Sequence, residues 1–259
     1  MNITLNLQKK NLFLLILILS VLLVSLKWIL SFIYFDEDIA LRVINDSTDG
    51  TYYPIIKSFS EFNFSPSYSQ KIDNLNIISF PVLSLFINSF FFKILGSYSF
   101  IFLEVFCTVF FIFIFYNIFL KLNFSIFYSI FCSIFLFILP TLLSDLTFIN
   151  IKSLDLLTLN FQKFYSMRFP RPIISNLFFF AFISFLINFY IKKDDFTKSF
   201  YILSALMGIT INVFFYLFFI EFFLFLIVFI LKFKKNFFEI ISKNFKYIFF
   251  SILIFLSFV

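Results

Sequence analysis

Long apolar runs broken by short polar turns dominate this chain. The runs cover 12–35, 78–95, 98–120, 124–143, 172–191, 199–215, 216–231 and 246–259. A helix needs about 20 apolar residues to cross a hydrocarbon core ~30 Å thick, so most of these runs predict membrane-spanning helices. One run differs. Segment 78–95 carries Ser79, Pro81, Ser84, Asn88, Ser89 and Lys93, polar enough for a helix that lies in the membrane interface or re-enters it. Another is too long. The 33 residues of 199–231, between Lys198 and Lys232, would make a single helix about 50 Å long. A hairpin broken near Asn212 predicts two short spans instead.

Charge decides between these readings. If 78–95 crossed, the turns holding Lys121, Lys192, Lys193, Lys198, Lys232, Lys234 and Lys235 would lie on the side opposite Lys9 and Lys10, against the bias of Lys and Arg toward the cytoplasmic side. If 78–95 does not cross, every short lysine turn joins Lys9 and Lys10 inside. The expected fold is therefore an all-α polytopic transmembrane bundle. It has about seven spans, an external interfacial helix, and external loops at 36–97 and 144–171. The whole of 1–259 reads as one transmembrane domain. The first run is too long for the apolar region of a signal peptide, and no small-residue cleavage site follows it. It is expected to stay as a span, with Lys27 snorkelling beside Trp28. The last run stops at Val259 with no tail, an ending that fits a piece of a longer protein.

Composition strengthens the membrane reading and narrows the chemistry. Of 259 residues, 62% are hydrophobic and 13% charged, against about 25% charged in soluble domains; mean hydropathy is +1.04. The 52 Phe and the excess of 17 Lys over 3 Arg fit an AT-rich coding style, so the Phe are read as lipid-facing filler. With no His, imidazole bases and ligands are excluded. The two cysteines, Cys107 and Cys132, lie in apolar runs as small core hydrophobes. Three Gly argue against a transporter built on close helix crossings and broken helices.

The unusual charges lie in the external loops. All three arginines, Arg42, Arg168 and Arg171, fall there, where the inside bias would not put them. The arginine fork suits phosphate or carboxylate oxygens, so these side chains are candidates to grip an anionic ligand, or else they pair with loop acids. Asp36, Glu37 and Asp38 follow the first span. They are either a solvated helix end or carboxylates at the start of a surface helix carrying Ile39, Ala40, Val43 and Ile44, placed to take a proton from an acceptor. Glu104 and Glu221 fall inside spans, toward their outer ends. Charge is costly there and is usually functional, unless the carboxyl snorkels or is protonated.

The segments "FDEDIALRVIND" and "ISFPVLSLFINSFFFKILGSYSF", an inward and an outward span, and then "YSMRFPRPIISNLFFFAFISFLINFYIKK" form a layout that resembles the GT-C superfamily of membrane glycosyltransferases. The likeness is to the branch of protein O-mannosyltransferases and lipid A aminoarabinose transferases. Gly208 fits that family's Gly-containing later span. Glu104 stands where a basic residue is frequent in the family, and Ile173 where Asp is. The resemblance implies an inverting transfer of a sugar from a polyprenyl-phosphate donor to an acceptor at the external face. Asp36 or Glu37 would be the base, and Arg168 and Arg171, with Arg42, Lys71 and Tyr165, would bind the donor. No cofactor or metal is required, although a divalent cation at Asp36–Asp38 is left open. The partners implied are the lipid-linked sugar, an unassigned acceptor and membrane lipid, with no nucleic acid. The location implied is a bacterial inner membrane with a cytoplasmic N-terminus. Two rivals stand beside this: a transporter or flippase of a lipid-linked sugar, and a non-catalytic membrane subunit.

Overall fold

A computed structural model describes residues 12–25, 28–29, 39, 52–64, 82–145, 173–191, 196–234 and 237–258, without the side chains of 137–145, 196, 237 and 238. The described residues are helical, with no strand among them. The helices are α1 (Leu12–Ser25), α2 (Tyr53–Ser60), α3 (Val82–Leu95), α4 (Tyr98–Lys121), α5 (Ile126–Asp145), α6 (Ile173–Ile191), α7 (Phe196–Phe233), α8 (Phe237–Lys243) and α9 (Phe245–Leu256). Three of them, α4, α6 and α7 from Thr197 onward, are long and apolar enough to cross a membrane.

Local signals explain several boundaries. Asn123, at φ +67°, ends α4: its N–H reaches Leu120 O and the N–H of Phe124 reaches Phe119 O, both at 3.1 Å. Asparagine tolerates this left-handed turn, which satisfies carbonyls the helix end would otherwise orphan. Gly96, at φ +58°, turns the chain between α3 and α4. Phe62 makes the same kind of stop after α2 at φ +63°, where an aromatic residue is strained; its ring receives the Lys93 ammonium at 3.5 Å.

The 38 residues of α7 would be about 57 Å long as one straight helix. Instead Phe214 breaks it with extended backbone, φ −163° and ψ 97°. The two arms then run side by side. Thr210 and Glu221 are about 16 Å apart along a straight helix, yet their side chains meet at 3.1 Å. Phe200 and Phe229 bring their rings to 6.1 Å. The hairpin is as expected from the length, its break two residues beyond Asn212.

Packing gives the helix directions. Phe13 meets Phe113 and Trp28 meets Glu104, so the N-terminal helical stretch is antiparallel to α4. Phe111 and Phe115 meet Phe180 and Lys121 reaches Ser184, so α4 and α6 are parallel, with α5 returning between them. Phe189 meets Phe200 and Phe229, placing α6 against both arms of α7. Then α9 climbs the hairpin, and Asn212 Nδ2 donates to Phe258 O beside the bend. One end of the bundle thus gathers Trp28, the starts of α4 and α6, and the α7 bend. The other gathers Lys121, Lys198 and Lys232. The helix α3, 14 residues long, spans about 21 Å, short of a ~30 Å core; α2 packs along it, with Phe59 against Phe86 and Tyr53 against Phe92.

Candidate functional site

Aromatic and aliphatic residues build one buried cluster at the Trp28 end. It joins Val24, Trp28 and Ile39 to Tyr52, Ile55, Ile56 and Phe59 of the α2 region, Leu85 of α3, Phe100 and Leu103 of α4, Ile173 and Ile174 of α6, and Val213 at the α7 bend. The helix α2 enters it through Ile55, Ile56 and Phe59, apolar at helical spacing behind Pro54. Proline at the first helical turn is a start signal, and the stretch 53–60 is legible on that ground, although hydropathy alone passes over it.

The residues proposed from the sequence, Asp36, Glu37, Arg42, Lys71, Tyr165, Arg168 and Arg171, lie outside the described residues. Ile39, three residues from both Asp36 and Arg42, and Ile173, two from Arg171, are described. Ile39 is buried at 4% exposure, and Ile173 and Ile174 at 0% and 2%, all in the same cluster.

Two carboxyls are held inside the bundle. Trp28 Nε1 donates to Glu104 Oε2 at 2.7 Å, joining residues 76 positions apart; Glu104 is 3% exposed and Trp28 is 5% exposed. Glu104 lies two turns into α4, where its own backbone carbonyl accepts from Thr108 Oγ1 at 2.7 Å. The second carboxyl, Glu221, is fully buried. It accepts from Thr210 Oγ1 at 3.1 Å through Oε1, while Oε2 has no hydrogen-bond partner among the described residues. Each acid is visible in the sequence as a charge inside an apolar run. Their partners are not, because both bonds join segments whose adjacency only the tertiary fold creates.

Further polar groups line the same region of the fold. Asn88 Nδ2 returns to Ser84 O at 2.8 Å, whereas Asn88 Oδ1, Ser84 Oγ and Ser99 Oγ are buried without a partner among the described residues. Such orphan acceptors and hydroxyls are uncommon in a finished interior. At the opposite end two lysines are engaged with helix carbonyls. Lys121 Nζ donates to Ser184 O and Oγ, each at 2.8 Å. Lys232 donates to Phe189 O and lies 4.2 Å from the centre of the Phe189 ring. The Lys232 contact puts a cation on a carbonyl in the last turn of α6, where the helix dipole favours it. Among the described residues no group of three or more His, Cys, Asp or Glu is arranged to hold a metal. No family model, curated protein or solved structure matches the chain.

Proposed function

We propose that the chain is a membrane glycosyltransferase of GT-C type, with seven spans and α3 lying in the outer interface. It moves a sugar from a polyprenyl-phosphate donor to an acceptor outside. The observation that supports this reading is the buried cluster shared by Ile39, Ile173 and Ile174. It draws together the chain next to the acids at 36–37 and the chain next to Arg171, two segments more than 130 residues apart. An acid and a cation brought together there would fit the chemistry. The carboxylate of Asp36 takes the acceptor's proton as its oxygen or nitrogen bonds to the anomeric carbon. The bond from that carbon to the phosphate oxygen breaks, and polyprenyl phosphate leaves with its charge held by Arg168 and Arg171.

The test is transfer by purified protein in nanodiscs from polyprenyl-phosphate hexose and pentose donors labelled in the sugar. Loss of a general base typically lowers rate about 10²- to 10⁴-fold. Asp36→Asn is expected to lose turnover on that scale with donor affinity nearly unchanged. Arg168→Ala is expected to weaken donor binding instead. If Asp36→Asn and Glu37→Gln both turn over at the wild-type rate, neither acid is the base; if the wild-type protein transfers no sugar from any of these donors, the transferase reading fails. Movement of lipid-linked sugar across vesicles by those same variants would favour a transporter.

A further inference from the structure

The α7 hairpin buries a carboxyl that its own surroundings leave unbalanced, at a place the transferase reading does not use. We infer that Glu221 and Thr210 form a site for one monovalent cation, a proton or a sodium ion, held between the two arms of the hairpin. The inference stands whether or not the chain transfers sugar.

Hydrogen counting carries it. An ionised carboxylate offers about four lone-pair positions to donors. Thr210 brings a single hydroxyl hydrogen, and that hydrogen has two acceptors, Leu206 O at 2.9 Å and Glu221 Oε1 at 3.1 Å. Glu221 Oε2, in a residue fully removed from solvent, has no partner among the described residues. The hairpin therefore gives this carboxyl at most one hydrogen, and none when the threonine bonds back to Leu206. Lys198 and Lys232, the lysines that flank the hairpin, lie roughly 16–18 Å from the pair along the arms, and Lys232 is on the Phe189 carbonyl. A bare negative charge in such a place is among the costliest things a membrane bundle can hold. One positive charge removes the cost. A proton on Oε1 donates to Thr210 Oγ1, and the threonine hydrogen then goes to Leu206 O. A sodium ion instead takes Oε1, Oε2 and Thr210 Oγ1, oxygens of the kind hard cations bind. Two features of the fold agree. Phe214 breaks α7 with extended backbone between Thr210 and Glu221, and broken helices are where membrane proteins place such ions. A further oxygen stands in register on α9. The Phe218 and Phe255 rings stack at 5.3 Å, and one turn from each, away from the bend, are Glu221 and Ser251. Ser251 is 1% exposed, and its Oγ also has no partner among the described residues.

The experiment reads the carboxyl and the cation separately, on purified protein in nanodiscs. Infrared difference spectra of wild type against Glu221→Gln are recorded in choline chloride and again in sodium chloride. Thermal midpoints of both proteins are measured in the same two salts at equal ionic strength. A neutral-acid carbonyl band that Glu221→Gln loses assigns the proton. Carboxylate bands assign sodium if that salt raises the wild-type midpoint by about 3 °C or more at tenfold its dissociation constant and leaves Glu221→Gln unmoved. Carboxylate bands with a midpoint that sodium leaves alone, or moves equally in Glu221→Gln, overturn the inference, because the charge is then borne without a cation. If Glu221→Gln cannot be purified, Thr210→Val takes its place. It keeps the carboxyl and removes the third oxygen, so the acid band should shift, or the sodium needed for half the effect should rise about tenfold. A Thr210→Val protein identical to wild type in both readings overturns the site.

Discussion

Gly208 illustrates how much one missing side chain decides. An added Cβ would meet Phe258 Cβ at 2.9 Å, Phe255 O at 3.0 Å and Phe258 Cδ2 at 3.0 Å. The space is occupied by α9 and its last turn, which packs on the first arm of α7. Alanine raises helix propensity by about 1 kcal/mol over glycine, while forcing atoms into a filled contact costs typically about 1–3 kcal/mol. The clash wins: Gly208→Ala is expected to lower the thermal midpoint in detergent modestly, and Gly208→Leu to lower it more and to free α9 for proteolysis. A midpoint raised by Gly208→Ala would mean that α9 does not dock there. The sequence marks Gly208 as a family-like position, yet its partner is 50 residues away at Phe258, beyond any local pattern. The same holds for Glu104. Its depth in an apolar run is plain, but nothing near it in the chain points to Trp28.

Among the elements, the α7 hairpin was the most legible. Its 33 residues between lysines are too many for one crossing and enough for two, and that arithmetic needs no tertiary information. What the pattern lacks is the bridge between the arms. Thr210 has one hydroxyl hydrogen, shared between Leu206 O at 2.9 Å and Glu221 Oε1 at 3.1 Å. Thr210→Val removes the described donor to a buried carboxyl. Hydrogen bonds inside membrane bundles average about 0.6 kcal/mol and reach ~1.7. A cycle of Thr210→Val, Glu221→Leu and the double variant should therefore show a coupling in that range, with the double variant more stable than the sum of the singles predicts. Zero coupling would mean that the two arms do not meet through this pair. The short helices α2 and α8 were not legible from hydropathy. They sit among polar residues, where an apolar stripe of two or three positions is lost in any window wide enough to find a span.

For the whole molecule, the arrangement makes a sided prediction. Ser97 and the bend at Phe214 belong to one end, and Lys121, Lys198 and Lys234 to the other. In a protein stripped of Cys107 and Cys132, single cysteines at Ser97 and Phe214 should react with a membrane-impermeant maleimide added from outside. Those at Lys121, Lys198 and Lys234 should react only after permeabilisation. Labelling at Lys121 with protection at Ser97 would reverse the orientation, and labelling of Phe214 and Lys198 from the same side would remove the hairpin. The helix bounds at 98–120, 172–191 and 246–259 anticipate α4, α6 and α9 within a few residues, because apolar length and lysine turns are local properties. The proposed site is another matter. Arg42, Lys71, Tyr165, Arg168 and Arg171 are scattered along the sequence and lie outside the described residues, and only the shared burial of Ile39, Ile173 and Ile174 bears on it.

The bend at Phe214 also bears on how the chain is laid into a membrane as it is made. An insertion machinery meeting the stretch after Lys198 has no glycine or proline at the turn to tell it to stop, only Asn212, Val213, Phe214, Phe215 and Tyr216. Basic residues flank both ends of the stretch and are retained on one side, so the number of crossings between them must be even. The lysines thus choose a hairpin before any side chain has packed, and Phe214 is where the apolar thread yields to that requirement. Moving the basic flank from Lys232–Lys235 to the middle of the stretch would leave one crossing and deliver α8 and α9 to the wrong face.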